Sequence, residues 1–161
     1  MTDTYDLLAP ESRVWIYQIN RELTESEVQE MDARLEQFAQ QWTSHNQDLS
    51  AMAKVWHKRF VVLMVDESKA GASGCSIDSS VRFLQKLETQ FGIHLFDRTT
   101  FLYLTADGKI SAASMDEFKE AFAAGEISEN TLVFDNLVNT KKAFEQHWQK
   151  PLSKSWHRRF V

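Results

Sequence analysis

Apolar positions along this chain alternate between a period near two and a period near 3.6, and the changes of period mark its elements. Residues 13–20 (Arg-Val-Trp-Ile-Tyr-Gln-Ile-Asn) are β-branched and aromatic with partial alternation, which predicts a strand. Thr24 followed three residues later by Glu27 reads as a capping box. Val28, Met31, Leu35, Phe38 and Trp42 then recur at helical spacing, so 25–43 is an expected amphipathic helix. Residues 46–53 read as a polar loop. Residues 55–66 carry the strongest strand signal, and their Val61–Val65 stretch predicts a central strand buried on both faces.

A small, polar segment follows from Asp66 to Asp78. Asp78 is the expected cap of a helix carrying Val81, Leu84, Leu87 and Phe91, which Gly92 ends. Further on the pattern predicts a strand at Phe101–Leu104, a turn at Ala106–Lys109 and a short helix at Asp116–Ala124. A short strand at Thr131–Phe134, a helix at Asn139–Trp148 stopped by Pro151, and a last strand at Trp156–Val161 complete the chain. The whole, 1–161, reads as a single compact α+β domain: one mixed sheet with about four helices packed on it.

Composition narrows the function. Of 161 residues, 43% are apolar and 25% charged, which excludes a disordered chain or a fibrous repeat. Eighteen Lys+Arg against 23 Asp+Glu leave a net charge of −5, which argues against nucleic-acid binding. Residues 139–161 hold six Lys+Arg against Glu145, a net of +5, so the preceding 138 residues carry −10. The N-terminus has neither a basic nor an apolar signal region, and the longest apolar run, Phe60–Val65, is far too short for a spanning helix. A cytoplasmic protein without membrane insertion is expected. The single cysteine excludes an intramolecular disulfide, and five scattered histidines give no metal motif, so no metal or cofactor is expected.

Two groups of residues carry candidate chemistry. Cys75 sits in Gly-Ala-Ser-Gly-Cys-Ser ahead of a predicted helix, where backbone N–H groups and the helix dipole favour a thiolate or a bound anion. Ser76 and Asp78 belong to the same turn. A base for the thiol has to arrive through the fold, from His94 or His157, because His57 lies about 30 Å of extended strand from this loop. The plainer reading makes Cys75 a small buried residue at a tight turn.

The second group is an internal echo: Trp56-His-Lys-Arg-Phe-Val61 recurs as Trp156-His-Arg-Arg-Phe-Val161. On two strands lying side by side, His57, Arg59, His157 and Arg159 would gather on one surface suited to a phosphate or carboxylate. The plainer reading pairs these cations with carboxylates and puts Trp and Phe in the core.

Ser12-Arg-Val-Trp-Ile-Tyr, Ala70-Gly-Ala-Ser-Gly-Cys-Ser-Ile-Asp78, Leu95-Phe-Asp-Arg98 and Ser155-Trp-His-Arg-Arg-Phe-Val161 together resemble an uncharacterised family of small bacterial proteins often labelled "ABC transporter ATPase". The likeness covers nearly the full chain and implies no activity. Neither a Walker A loop nor a recognisable ABC signature occurs here, so the label does not describe this chain, and specific ATP binding is not expected. A second likeness spans 101–148. Phe101-Leu-Tyr103, Gly108-Lys-Ile110, Phe118, Gly125-Glu-Ile127, Thr131-Leu-Val-Phe134 and Trp148 are similar in spacing to GYF-type-2 peptide-binding modules, with Gly108-Lys109-Ile110 in place of the Gly-Pro-aromatic element. That likeness implies a strand–turn–helix–turn–strand unit used for protein interaction. The expected function is therefore binding, of a small anion or an acidic protein surface. The alternative is a thiol-dependent enzyme using Cys75.

Overall fold

Nine short strands and five α-helices follow one another in the computed structural model, which describes residues 4–161. The fold is α+β, in two compact units. One comprises the described residues up to Phe96 with Asn139–Lys142, and the other comprises Asp97–Val138 with Ala143–Val161.

The first unit contains α1 (Thr4–Leu7), β1 (Arg13–Gln18), α2 (Glu25–Gln41), β2 (Thr43–Ser44), β3 (Gln47–Asp48), β4 (Ser50–Trp56), β5 (Phe60–Asp66) and α3 (Gly74–Phe91). Strand β5 is central in the antiparallel order β1-β5-β4, and Phe60 to Val65 are at most 1% exposed, as their unbroken apolar run predicts. Val61, Leu63 and Val65 face a core formed with Met31 and Leu35 of α2 and Leu84 and Leu87 of α3. Burying each such side chain contributes about 1.5–3 kcal/mol.

Caps set the helix ends. Thr24 and Glu27 form the expected box on α2. Arg21 forks onto Glu27 at 2.9 and 2.7 Å and also donates to Phe91 O at 2.8 Å, tying the start of α2 to the end of α3. That fork, with the bond from Thr24 N–H, lowers the Glu27 carboxyl to about 2. Gly92 ends α3 in a left-handed conformation, φ +63°, as expected.

Two expectations fail in this unit. Residues 46–53 are not a loop, since β3 and the start of β4 lie there. The predicted strand 55–66 is the end of one strand, a three-residue connection and a second strand, with Trp56 paired to Phe60. His57 and Lys58 take positive φ (53° and 58°), and Arg59 N–H bonds back to Trp56 O at 3.0 Å. Left-handed backbone without glycine is a turn the pattern rules do not flag.

The second unit contains β6 (Thr100–Leu104), β7 (Ile110–Ser114), α4 (Met115–Ala123), β8 (Leu132–Phe134), most of α5 (Lys141–His147) and β9 (Gln149–Pro151). Its antiparallel sheet has the order β7-β6-β8-β9. Phe118 of α4 packs edge-on against Phe101 (5.2 Å) and Tyr103 (5.9 Å). Instead of one mixed sheet there are three small ones, every pairing antiparallel.

The last six residues correct another expectation. Trp156–Phe160 is a 3-10 helix, not a strand, and β5 has β1 and β4 as its neighbours. Ser155 caps the segment by accepting His157 N–H, and Arg158 N–H bonds to Ser155 O. Trp156, His157 and Phe160, at helical spacing, all pack on Phe101. That burial selects the turn over the strand.

Candidate functional site

The Cys75 loop departs from expectation in two respects. Ser73, not Asp78, caps α3, so the helix starts five residues earlier than predicted. Ser76 completes the box: its Oγ accepts Ser73 N–H at 2.6 Å and donates to Ser73 O at 2.8 Å. Ser76 O also accepts Trp42 Nε1–H at 2.8 Å, so this turn is anchored to α2 through an indole that is 3% exposed. Asp78 is left exposed on the helix. Cys75 is exposed as well, contrary to the buried reading. His94 does not serve as its base, because it follows the far end of α3, about 24 Å of helix away.

His57 and Arg59 lie in the first unit, whereas His157 and Arg159 lie in the second. No strand pairing unites them, because the segments assumed to be strands are a hairpin connection and a 3-10 helix. It is their neighbours that answer carboxylates: Lys58 pairs with Glu25 at 2.6 Å and Arg158 with Glu129 at 2.6 Å. Arg159 and His57 are exposed. Arg59 is half-buried, and its Nε is enclosed with no hydrogen-bond partner among the described residues. Burial pushes its guanidinium below its ordinary value, while Glu22 pulls the other way.

His157 belongs to a polar cluster that sequence reasoning did not find. Its ring, 2% exposed, stacks on Trp156 at 3.7 Å, and Nδ1 lies 2.5 Å from Ser155 Oγ. Since that oxygen accepts His157 N–H, its own proton is available to Nδ1, which fits a neutral imidazole protonated at Nε2. Burial lowers the His157 pKa to about 4, against the pull of Asp135. Asp135 accepts from Lys150 Nζ (2.9 Å), Trp156 Nε1 (2.9 Å) and Leu137 N–H (3.0 Å). Burial drives its carboxyl up, but those bonds outweigh it and hold the group below the usual range. The partners stand 15 and 21 residues away, so no local spacing announces them. A ring so enclosed and so weakly basic is a poor general base at neutral pH.

An open cleft of about 310 Å³ runs between α2 and β4 in the first unit. Asp32, Glu36, Ala39 and Gln40 line the helix side, Ala51–Lys54 the strand side, and Thr4 one end. Asp32 and Glu36 are one helical turn apart, so both carboxylates face the same way. Asp32 Oδ1 accepts Val55 N–H at 2.9 Å. The small side chains at 39, 51 and 53 leave the room; the only sequence signal is this coincidence of alanines with an i, i+4 acidic pair.

Among the described residues no cluster of three His, Cys, Asp or Glu could hold a metal ion, and no helix is long and apolar enough to cross a membrane. Compared with protein families, with curated proteins and with solved structures, the chain matches none.

Proposed function

We propose that this chain is a binding protein whose ligand occupies the cleft between α2 and β4. The observation that carries this reading is a 310 Å³ space bringing a pair of carboxylates and strand backbone to one opening. Binding sites combine such a concavity with a few convergent polar groups. The test is a fragment library titrated into ¹⁵N-labelled protein. Shifts clustered on the amides of Asp32–Gln40 and Ala51–Lys54 support the reading; a library that leaves those amides unmoved overturns it.

A second reading, a small anion held at Arg59, is favoured by its enclosed Nε, which has no hydrogen-bond partner among the described residues. Inorganic phosphate should then raise Tm in the parent protein and not in Arg59→Gln. A parent Tm that is indifferent to phosphate refutes this.

A further inference from the structure

The two edges of the first unit's sheet are treated differently. Along β1 the edge is covered: Val14 N–H bonds to Asn139 O at 3.1 Å, Arg13 bridges Thr140, and Lys141 N–H bonds to Ser12 O at 2.8 Å. Along β4 the ladder has β5 on one side and, among the described residues, no strand on the other. In an antiparallel pair a residue's N–H and C=O point to the same side, and the side alternates. Val55 N–H turns outward, to Asp32, so the backbone groups of Ala53 and Ala51 turn outward too, each pair roughly 6.8 Å from the next. Both residues line the cleft.

Such an edge is a template for another strand. Above it on the α2 side stand Asp32 and Glu36, and on the opposite face Lys54 extends beside Trp56, its Nζ 5.9 Å from the ring. An extended segment laid along the edge places alternate side chains on these two faces. We infer that the edge of β4 accepts an extended peptide as an added strand, with basic residues towards Asp32 and Glu36 and an acidic residue towards Lys54. Charge complementarity selects the sequence, and the outward backbone groups of Ala51 and Ala53 hold the main chain. The inference rests on the cleft being the binding site.

The probe is the capped pentapeptide Thr-Lys-Glu-Lys-Thr, with the charge-swapped Thr-Glu-Lys-Glu-Thr and a form of the first carrying alternate N-methyl groups. In the free protein the amides of Ala51 and Ala53 should exchange faster than those of Met52 and Lys54, which face β5. The first peptide should slow exchange at Ala51 and Ala53, the swapped one should bind about tenfold more weakly, and the N-methylated one should give no protection. Glu36→Gln, on an exposed side chain, should shrink the preference between the two charged peptides. Peptide binding that shifts Asp32 and Glu36 without protecting Ala51 and Ala53 overturns strand addition and leaves the cleft as a binding site. Failure of all three peptides where fragments still bind also overturns it alone; failure of fragments and peptides together removes the cleft reading as well.

Discussion

Asp32 Oδ1 accepts the Val55 N–H at 2.9 Å, joining the middle of α2 to the outer edge of β4 across 23 residues of sequence. The bond closes one end of the strand edge that lines the cleft. It also shows why a carboxylate on a polar stretch of helix serves more than solubility here.

Removing that acceptor leaves a partly buried amide unsatisfied. Asp32→Ala should lower stability by about 1–2 kcal/mol, and Asp32→Asn by less, because its amide oxygen still accepts. Urea denaturation of the three proteins measures this. Equal stability of Asp32→Ala and the parent would mean that the bond contributes nothing.

His157 makes stability depend on pH in a defined window. Its folded pKa, about 4, lies below the ordinary 6.5, so the unfolded chain binds the extra proton first. The stabilisation is complete above 6.5 and is lost as pH falls towards 4, amounting to about 2–3 kcal/mol. His157→Gln keeps an acceptor for Ser155 without titrating, and its Tm should fall less steeply between pH 6.5 and 4. Identical slopes would exclude His157 as the titrating group.

Asp135 depends on donors from two later segments. Lys150→Met removes one of them and leaves a carboxylate with 12% side-chain exposure short of a partner, which should cost about 1–3 kcal/mol. Deleting residues 156–161 removes the Trp156 donor together with the aromatic packing on Phe101, and the second unit should unfold. Near-UV circular dichroism reports on it. A truncated protein that retains the parent spectrum would make the C-terminal turn dispensable.

Cys75 stands on the surface of the first turn of α3, while the capping bonds there belong to Ser73 and Ser76. Cys75→Ala should therefore shift stability by less than about 0.5 kcal/mol. Ellman's reagent should titrate the native thiol fully without denaturant. A thiol that reacts only after unfolding would contradict its exposure and end the thiol-enzyme alternative as well.

The helices were legible because local rules decide them. The Thr24–Glu27 box and the spacing of Met31 and Leu35 place α2 within two residues of its expected end, and Gly92 stops α3 as a left-handed cap should. Where two caps competed, Ser73 took precedence over Asp78 because it finds a reciprocal partner in Ser76, a Ser–Ser box outside the usual Ser/Thr-x-x-Glu/Gln pattern.

The repeated hexapeptide marks the limit. Trp56-His-Lys-Arg-Phe-Val61 closes a hairpin with left-handed His57 and Lys58, whereas Trp156-His-Arg-Arg-Phe-Val161 winds a 3-10 helix on Phe101. Nearly the same side chains thus take two backbones, and neither is the single continuous strand that their propensities favour. The sequence by itself determined the α+β class, the capped helices and a central strand buried on both faces, since each follows from neighbours within a few residues. Tertiary structure alone decided which edge stays open, which carboxylates meet Val55, Lys150 and Trp156, and how the two echoes bend. Those outcomes depend on groups 15 to 23 residues apart or more, whose meeting is set by the burial of a whole core and by the need to satisfy the polar groups it encloses.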